Sequence, residues 1–403
     1  MSVLSGKRIL LGVTAGIAAY KTSFLVRHFV KAGAEVKVVM TPAAKDFVTP
    51  LTLSTLSKNP VSSTFYEKSE ENELWNNHVD LALWADLMVI APLTANTLAK
   101  MAKGICDNLL MATYLSAKSK VYFAPAMDLD MFKHPTTKKN IDILIKRGNL
   151  FIPPSFGELA SGLEGEGRMA EPEEIVSFIE KHLESGLPLM NKRVLITAGP
   201  TYEAIDPVRF IGNHSSGKMG FSLAREAVSL GAKVTLVTGP SNEVFVDERL
   251  QRINVTSAEE MYNKVHKYFN EMDVAIFSAA VSDFTPKIVS SQKIKKSEST
   301  LSIELVPTKD ILASVGKIKK NQFLVGFALE TENEIENAKR KIEAKNLDMI
   351  VLNSLQDRGA GFQLETNKVS VIDHSGHVKA FELKSKEAVA SDIFKEILLA
   401  KHV

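Results

Sequence analysis

The stretch Lys192 to Gly220, KRVLITAGPTYEAIDPVRFIGNHSSGKMG, decides the fold, because it restarts in mid-chain the kind of unit that opens at Met1. Its apolar run Val194 to Ile196 reads as a buried strand, and Ala198-Gly199-Pro200 as the turn that ends it. Small, hydroxyl-bearing and amide residues come next, Asn213-His214-Ser215-Ser216-Gly217-Lys218, directly before a helical pattern from Met219 to Leu230. Free N–H groups and the dipole at a helix start favour an anion, so the stretch reads as a cradle for a phosphate or a carboxylate. The same residues would also serve as an N-cap with no ligand.

The first half has the same plan. Arg8 to Val13 is apolar enough for an inner strand, Gly12 to Gly16 reads as a small-residue turn, and Ile17 to Ala32 has helical periodicity. Gly33 to Pro42 turns into a second strand, Asp86 to Ile90 makes a third ending at Ala91-Pro92, and Val121 to Phe123 a fourth ending at Ala124-Pro125. The second half echoes this: Lys192-Arg193-Val194-Leu195 repeats Lys7-Arg8-Ile9-Leu10, Gly231 to Pro240 repeats Gly33 to Pro42, and Asp273 to Phe277 repeats Asp86 to Ile90. Strands alternating with helices in this way predict an α/β chain of two doubly wound, Rossmann-like domains with mainly parallel sheets. Each domain is expected to hold its ligand beyond the carboxyl ends of the strands. A charged helical pattern from Glu171 to Glu184 and the connector Ser185-Gly186-Leu187-Pro188-Leu189 place the boundary near Gly186, dividing 1–186 from 187–403. Lys287 to Thr300 reads as an exposed loop of the second domain.

Composition narrows the function. A net charge of +2 over 403 residues leaves no broad electrostatic footprint for nucleic acid or a membrane surface. The single cysteine, Cys106, excludes an intrachain disulfide and a metal held by several thiolates. No apolar run is long enough to span a bilayer, and a cytoplasmic protein is expected.

In the first half, Gly12-Val13-Thr14-Ala15-Gly16 lacks the glycine spacing of the dinucleotide fingerprint, and a mononucleotide fits better. Thr14, Gly16 and Ile17 open the first helix, and Thr94, Ala95, Asn96 and Thr97 open the helix after the third strand. The two N-termini either share one phosphate or are ordinary capped strand ends. Thr41 ends the second strand, where a ring edge or ribityl chain would pass. His78 starts a short helical pattern, as a base near neutral pH or as a cap. Pro125-Ala126-Met127-Asp128 puts Met127 and Asp128 at the binding edge. Gly157-Glu158-Leu159-Ala160-Ser161-Gly162 with Gly165-Glu166-Gly167-Arg168-Met169 forms a glycine-rich flap, either a lid or a long surface loop.

These residues carry a resemblance. His78-Val79-Asp80-Leu81, Ala91-Pro92-Leu93-Thr94-Ala95-Asn96-Thr97 and Pro125-Ala126-Met127 resemble the FMN-dependent cysteine decarboxylases. Asn213 to Lys218, with Lys293-Ile294-Lys295-Lys296, resembles phosphopantothenate–cysteine ligase. In this order, from about Lys7 to about Leu399, the chain is similar to the bifunctional phosphopantothenoylcysteine decarboxylase/phosphopantothenate–cysteine ligases of coenzyme A biosynthesis.

The resemblance implies that the first half binds FMN, oxidises the cysteine thiol of phosphopantothenoylcysteine to a thioaldehyde, loses CO2 and returns the hydride. His78 matches the catalytic histidine. Two positions depart from the pattern: asparagine is usual where this chain has Asp128, and a proton-donating cysteine where it has Ser161. An ionised Asp128 would repel a substrate carboxylate, and a serine hydroxyl is a poorer proton donor than a thiol. Either a carboxylic acid such as Asp128, Glu158 or Glu164 supplies the last proton, or the step is slow, or this half is impaired. Otherwise intact motifs favour an active variant.

For the second half the resemblance implies that 4'-phosphopantothenate attacks the α-phosphate of CTP, giving an acyl cytidylate and pyrophosphate, and that the amine of L-cysteine displaces CMP. This is a task of charge neutralisation and in-line positioning. Lys293 would stabilise triphosphate charge, and Asn213 would assist conversion of the cytidylate. Lys341 and Lys345, four apart on one helix face, match further CTP contacts. Phe277, Ser278, Ala279, Asp283, Lys309, Asp310, Ile311, Leu312 and Phe327 lie around the nucleotide and its Mg2+ or Mn2+, with Asp283 as the metal ligand. Family members are homo-oligomers, trimeric through the first half and dimeric through the second, building a dodecamer. Two other readings stay open: a ligase whose FMN domain is weak or inactive, and a flavin-binding regulatory or interaction protein.

Overall fold

Each half is ordered by one central strand, and the computed structural model describes it in residues 2–68, 73–159, 161–295, 301–330, 333–354 and 364–401. Ala160 of the flap and Lys296 of the lysine loop, with the rest of that loop to Thr300, lie outside the described residues. The chain divides into two units, Met1–Ser185 and Gly186–Val403.

In the front unit the sheet strands are β1 (Arg8–Val13), β2 (Glu35–Met40), β3 (Val61–Ser62), β4 (Leu87–Leu93), β5 (Lys120–Pro125) and β6 (Leu150–Phe151). They lie in the order β3-β2-β1-β4-β5-β6, every pair parallel. Successive side chains of β1 alternate between two apolar layers. Ile9, Leu11 and Val13 join Leu25 and Phe29, while Leu10 joins Leu98 and Leu110. Helices cover both faces, which is why the strands are apolar throughout rather than alternating. A hairpin of β7 (Ser155–Glu158) and β8 (Glu164–Arg168) forms the flap, so part of that stretch is paired strand rather than loop.

The structure corrects three local readings. Strand β1 runs on through Val13, so Gly12 belongs to the strand and not to a turn. A Cβ there would stand 2.7 Å from Leu110 Cδ1, so the missing side chain serves helix–sheet packing. The expected helix from Ile17 splits into a 3-10 turn, Ile17–Lys21, and α1 (Thr22–Lys31). Strand β4 continues through Ala91 and Pro92 instead of stopping at them. Three further helices place site residues, α2 (His78–Trp84), α3 (Ala95–Lys103) and α4 (Leu129–Lys133).

The rear unit repeats the plan around β9 (Arg193–Ala198). After a small hairpin, β10 (Tyr202–Ala204) with β11 (Phe210–Gly212), come α5 (Lys218–Ser229), β12 (Lys233–Thr238), β13 (Leu250–Asn254), β14 (Val274–Phe277), α6 (Ile311–Ile318), β15 (Phe323–Glu330), α7 (Glu334–Ala344), β16 (Met349–Ser354), β17 (Val369–Asp373), β18 (Val378–Ala380) and α8 (Lys386–Lys401). The sheet order is β13-β12-β9-β14-β15-β16-β17-β18, parallel up to β16 and antiparallel over β17 and β18. The antiparallel edge was not visible in the sequence pattern, because a short amphipathic strand has no helix crossover to announce it. Among the described residues no helix is long and apolar enough to cross a membrane.

Candidate functional site

The rear site grows from the carboxyl end of β9. Gly217, at φ +86°, turns the chain into α5 and has no side chain to cap it, and Ser216 Oγ meets only the first N–H, that of Lys218, at 3.5 Å. Ser215 Oγ accepts the Gly217 N–H at 3.3 Å, which folds the serines back over the opening turn. A cavity of about 140 Å³ opens there, lined on one side by Ser215 to Gly220 and on the other by Ser278, Ala279 and Phe327. These expected substrate residues, Ser215, Ser216, Gly217, Lys218, Ser278, Ala279 and Phe327, therefore share one cavity. Ser278 is held by donating its hydroxyl to the Thr197 carbonyl at 2.7 Å.

Asn213 and Lys293 do not line that cavity. Asn213 Nδ2 donates to the carbonyls of Ala280 and Val281, at 3.1 and 3.2 Å, and Ala280 lines the cavity, so Asn213 stands at its rim. The lysine loop is fixed through the residue next to Lys293. The Ile294 N–H donates to Asp206 Oδ2 at 3.2 Å, and Arg209 donates to the Ile294 carbonyl at 2.6 Å while pairing with Asp206. The Asp206 side chain has no exposure. Burial pushes its carboxyl up, but N–H groups of Val208, Arg209 and Ile294 and the Arg209 guanidinium outweigh that and hold it well below the usual carboxylate range. This clasp joins the lysine loop to the strand that leads into Asn213.

Several other expected contacts have structural duties. Ile311 and Phe277 are buried in the core, at 4% and 8% exposure, and offer a ligand only backbone. Asp310 caps α6 by accepting the Ala313 N–H and pairs with Lys345 at 2.8 Å. Burial raises the Asp310 carboxyl, and these donors outweigh it to leave it lowered. Helix α7 ends at Ala344 with Lys345 as its C-cap, and the Lys345 N–H still donates to the Lys341 carbonyl at 3.1 Å, so the two lysines lie one turn apart. Lys309 pairs with Glu259 at 3.5 Å and lies over the Tyr262 ring, and Leu312 packs against the core. Asp283 is exposed, and among the described residues no group of three or more His, Cys, Asp or Glu converges on a metal position.

The front site is a cleft of about 450 Å³ beyond β5, walled by Gly16 and Ile17, by Met127 and Asp128, and by the flap at Glu158 and Arg168. The flap base is tied down by the Met127 N–H donating to the Gly167 carbonyl at 3.0 Å. A Cβ on Gly167, at φ +143°, would meet the Met127 carbonyl oxygen at 2.4 Å, so only glycine allows that approach. Asp128 caps α4, one oxygen accepting the Leu129 N–H at 2.6 Å. Ser161 is exposed in the turn between β7 and β8 and does not line the cleft.

The remaining front residues gather at the strand ends without lining that cleft. Thr14 is fully buried: its hydroxyl donates to the Pro92 carbonyl at 2.7 Å and accepts the Thr94 N–H at 3.1 Å. It stitches the crevice between β1 and β4, where the strand order reverses, rather than offering its hydroxyl to a ligand. Thr94 is the N-cap of α3 without capping it, and its hydroxyl reaches Thr97 at 3.4 Å, with Asn96 in the same first turn. Thr41 Oγ1 and His78 Nδ1 are buried with no hydrogen-bond partner. A buried polar atom left open at a strand end, Thr41 Oγ1, and another at a helix start, His78 Nδ1, fit a polar ligand such as a flavin mononucleotide.

Sequence reading missed four residues. Lys21 lines the front cleft although it is 4% exposed, donating to the Met169 carbonyl and to Glu171. Arg168 shares that same Glu171 at 2.8 Å, so two cations face one carboxylate, and both cations line the cleft that Asp128 also lines. The Lys21 ammonium, first, and then Arg168 hold the Glu171 carboxyl below its ordinary value against the rise from burial. In the rear cavity, Asn353 and Lys386 come from elements remote in sequence. A lysine at the start of a charged helix carries no signal that distinguishes it from a solvated one.

Comparison with known proteins agrees with this division. Residues 2–184 match the family model "Flavoprotein", and residues 189–400 match "DNA/pantothenate metabolism flavoprotein C-terminal domain". A cysteine/cysteine sulfinic acid decarboxylase from an unknown prokaryotic organism is 55% identical over 88% of this chain and 100% of its own length. The coenzyme A biosynthesis bifunctional protein CoaBC of Bacillus subtilis is 46% identical over 98% of this chain and 97% of its own. A crystal structure of the C-terminal domain of a CoaBC protein is 40% identical, covering 54% of this chain and 99% of that one, with a TM-score of 0.47. The chain belongs to the family of bifunctional coenzyme A biosynthesis enzymes, with a flavoprotein decarboxylase domain followed by a ligase domain.

Proposed function

We propose that the rear half joins 4'-phosphopantothenate to L-cysteine with CTP, and that the front half, with FMN, decarboxylates the phosphopantothenoylcysteine to 4'-phosphopantetheine. The observation that carries this reading is the rear cavity, where a helix start opened by glycine, two serines and Lys218 face Ser278, Ala279 and Phe327, with Asn213 at the rim. In the ligation, the carboxylate attacks the α-phosphate of CTP and pyrophosphate leaves. Lys293, on its clasped loop, neutralises the charge that gathers on the leaving phosphates. The amine of cysteine then displaces CMP beside Asn213. Mg2+ or Mn2+ would arrive with the triphosphate, and no step depends on a protein-held ion.

In the front half, a bound flavin supplies reversible two-electron oxidation of the thiol-bearing carbon. Gly16, Ile17, Thr41, Thr94, Asn96, Thr97 and Met127, at the strand ends, would hold it. His78 offers an unpartnered ring nitrogen for moving a proton. Lys21 and Arg168 line the same cleft as Asp128, and both are paired with Glu171. Exposed Ile17, Tyr20 and Phe24 form an apolar strip that supports assembly of this half into a homo-oligomer, with trimers here and dimers through the rear half building a dodecamer. A cytoplasmic location goes with these substrates.

The test supplies phosphopantothenoylcysteine alone and follows CO2 release in the wild type, Asp128→Asn, Ser161→Cys and the double variant, with CTP-dependent pyrophosphate release measured separately. An inert wild type beside an active double variant overturns the active-variant reading. A second reading, free cysteine or cysteine sulfinate as the front-half substrate, is favoured by the 55% identical relative that bears that name. CO2 release from those compounds exceeding that from phosphopantothenoylcysteine would establish it.

A further inference from the structure

An imidazole moves a proton only where its ring is aimed, and the usual aiming device is a hydrogen bond to its second nitrogen from a carboxylate or a carbonyl. His78, the first residue of α2, has no such bond. Its Nδ1 is buried without a partner, and among the described residues no hydrogen bond or ion pair reaches the ring. What the ring meets instead is Phe65, with centroids 6.1 Å apart and the two planes at 87°. An edge-to-face contact of this kind stabilises about as much as the net of a neutral hydrogen bond, and it leaves both ring nitrogens open.

Phe65 is itself held from two directions. The Trp75 ring stacks on it at 5.8 Å and 21°. Asn76 fixes its backbone: the Asn76 N–H donates to the Phe65 carbonyl at 2.8 Å, and Asn76 Nδ2 donates to the Thr64 carbonyl at 2.8 Å. Ser62, 9% exposed at the end of β3, donates its hydroxyl to Asn76 Oδ1 at 3.0 Å and so ties this arrangement to the sheet. Only Asn77 separates Asn76 from His78, and Asn77 caps α2 by accepting the Val79 N–H at 3.0 Å. Backbone and ring thus converge on His78 from the same short segment.

We propose that Phe65, held by Trp75 and Asn76, is the positioning residue for His78, taking the orienting role that a carboxylate or carbonyl would otherwise fill. This rests on the reading of His78 as the group that moves a proton in the front half. The alternative role for Phe65 is packing alone, since it also lies against the core of that half.

The experiment uses the full-length, flavin-loaded protein and measures CO2 release from phosphopantothenoylcysteine, retained flavin and the melting temperature, for the wild type, Phe65→Leu, Phe65→Tyr, Trp75→Ala, His78→Asn and the Phe65→Leu/His78→Asn double variant. Phe65→Leu, which fills the space without a ring, should lower kcat about 10- to 100-fold, as a misaimed catalytic group implies, with KM and flavin content within about twofold. Phe65→Tyr, which keeps the ring, should recover most of the rate. Once His78 is gone its aim no longer matters, so Phe65→Leu should change the residual rate of His78→Asn by less than about twofold. A loss of equal size in both backgrounds, or one that falls on KM or flavin content alone, overturns the proposal. If Phe65→Leu fails to fold, Trp75→Ala, at the exposed side of the stack, must still lower kcat by at least about threefold, and an unchanged kcat overturns the proposal. A wild type that releases no CO2 from phosphopantothenoylcysteine, cysteine or cysteine sulfinate refutes the decarboxylase reading instead. The positioning is then read from crystal structures: His78 should keep its rotamer in Phe65→Tyr and lose it in Phe65→Leu, and one ordered rotamer in both overturns the proposal.

Discussion

Arg8 and Asp86 in the front half hold the same place as Arg193 and Asp273 in the rear. In each pair the arginine N–H donates to an aspartate carboxylate at 2.8 Å, and the aspartate N–H returns a bond to the arginine carbonyl, at 2.8 Å in front and 2.9 Å behind. The central strand and its neighbour are thereby locked in matching register. At the other end of the strands the halves part. In front, buried Thr14 sews the crevice together, and the cleft is made instead by a 3-10 turn, the β5 end and a flap hairpin. Behind, a glycine in the left-handed region launches α5, and the cavity lies at that helix start. One frame thus supports two chemistries, because the frame is fixed at the amino ends of the strands while the sites are built from the loops and helix starts beyond their carboxyl ends.

The largest effect should come from separating the two chemistries. Lys293→Gln is expected to lower CTP-dependent pyrophosphate release by about 10²- to 10³-fold while leaving CO2 release from supplied phosphopantothenoylcysteine within about twofold. His78→Asn should do the reverse, by about 10²- to 10⁴-fold. Coupled losses in both assays would break the picture of independent sites.

Next in size is Gly12→Val. Its side chain would press on Leu110 and Ile90, at a cost of about 1–3 kcal/mol. The front half should melt earlier and retain less flavin, with the rear transition unmoved. Gly12→Ala should cost less, because the nearest atom is a terminal methyl of Leu110 that can swing aside.

Asp206 gives the rear half a pH signature of its own. The carboxyl is held below its ordinary value near 3.8, so its contribution is complete above that pH and is lost as pH falls through the lower folded value. Melting of the rear half should therefore decline steeply with acidification below about pH 4, and Asp206→Asn should flatten that slope. A slope the variant does not change would remove the clasp from the account of the lysine loop.

The smallest effects test the frame. Asp86→Ala and Asp273→Ala each remove the acceptor of one backbone N–H, Asp86→Ala also the surface pair with the Arg8 guanidinium, and each should cost about 1 kcal/mol in its own half by differential scanning calorimetry. Unequal losses would show that the repeated motif does not hold the two sheets equally.

Much of this was legible in the chain. Apolar runs at Arg8 to Val13 and Val194 to Ile196, and the repeated Gly-to-Pro spacing, announce two parallel sheets because a strand buried on both faces must be apolar throughout. The cradle Asn213 to Lys218 is equally visible, since helix-start residues are adjacent in sequence. Thr14 could not be read in this way: whether a threonine after a strand faces a ligand or a neighbouring loop depends on Pro92 and Thr94, far along the chain.

The sequence by itself therefore determined the duplicated α/β frame and the helix start that faces the rear cavity, because periodicity and local backbone geometry act over a few residues. The tertiary structure decided which charges are spent and which are open. Lys21 and Lys386 are both lysines near a helix start, yet only folding gives one of them a carboxylate and leaves the other facing a cavity, since burial and counter-ions are set by segments distant in sequence.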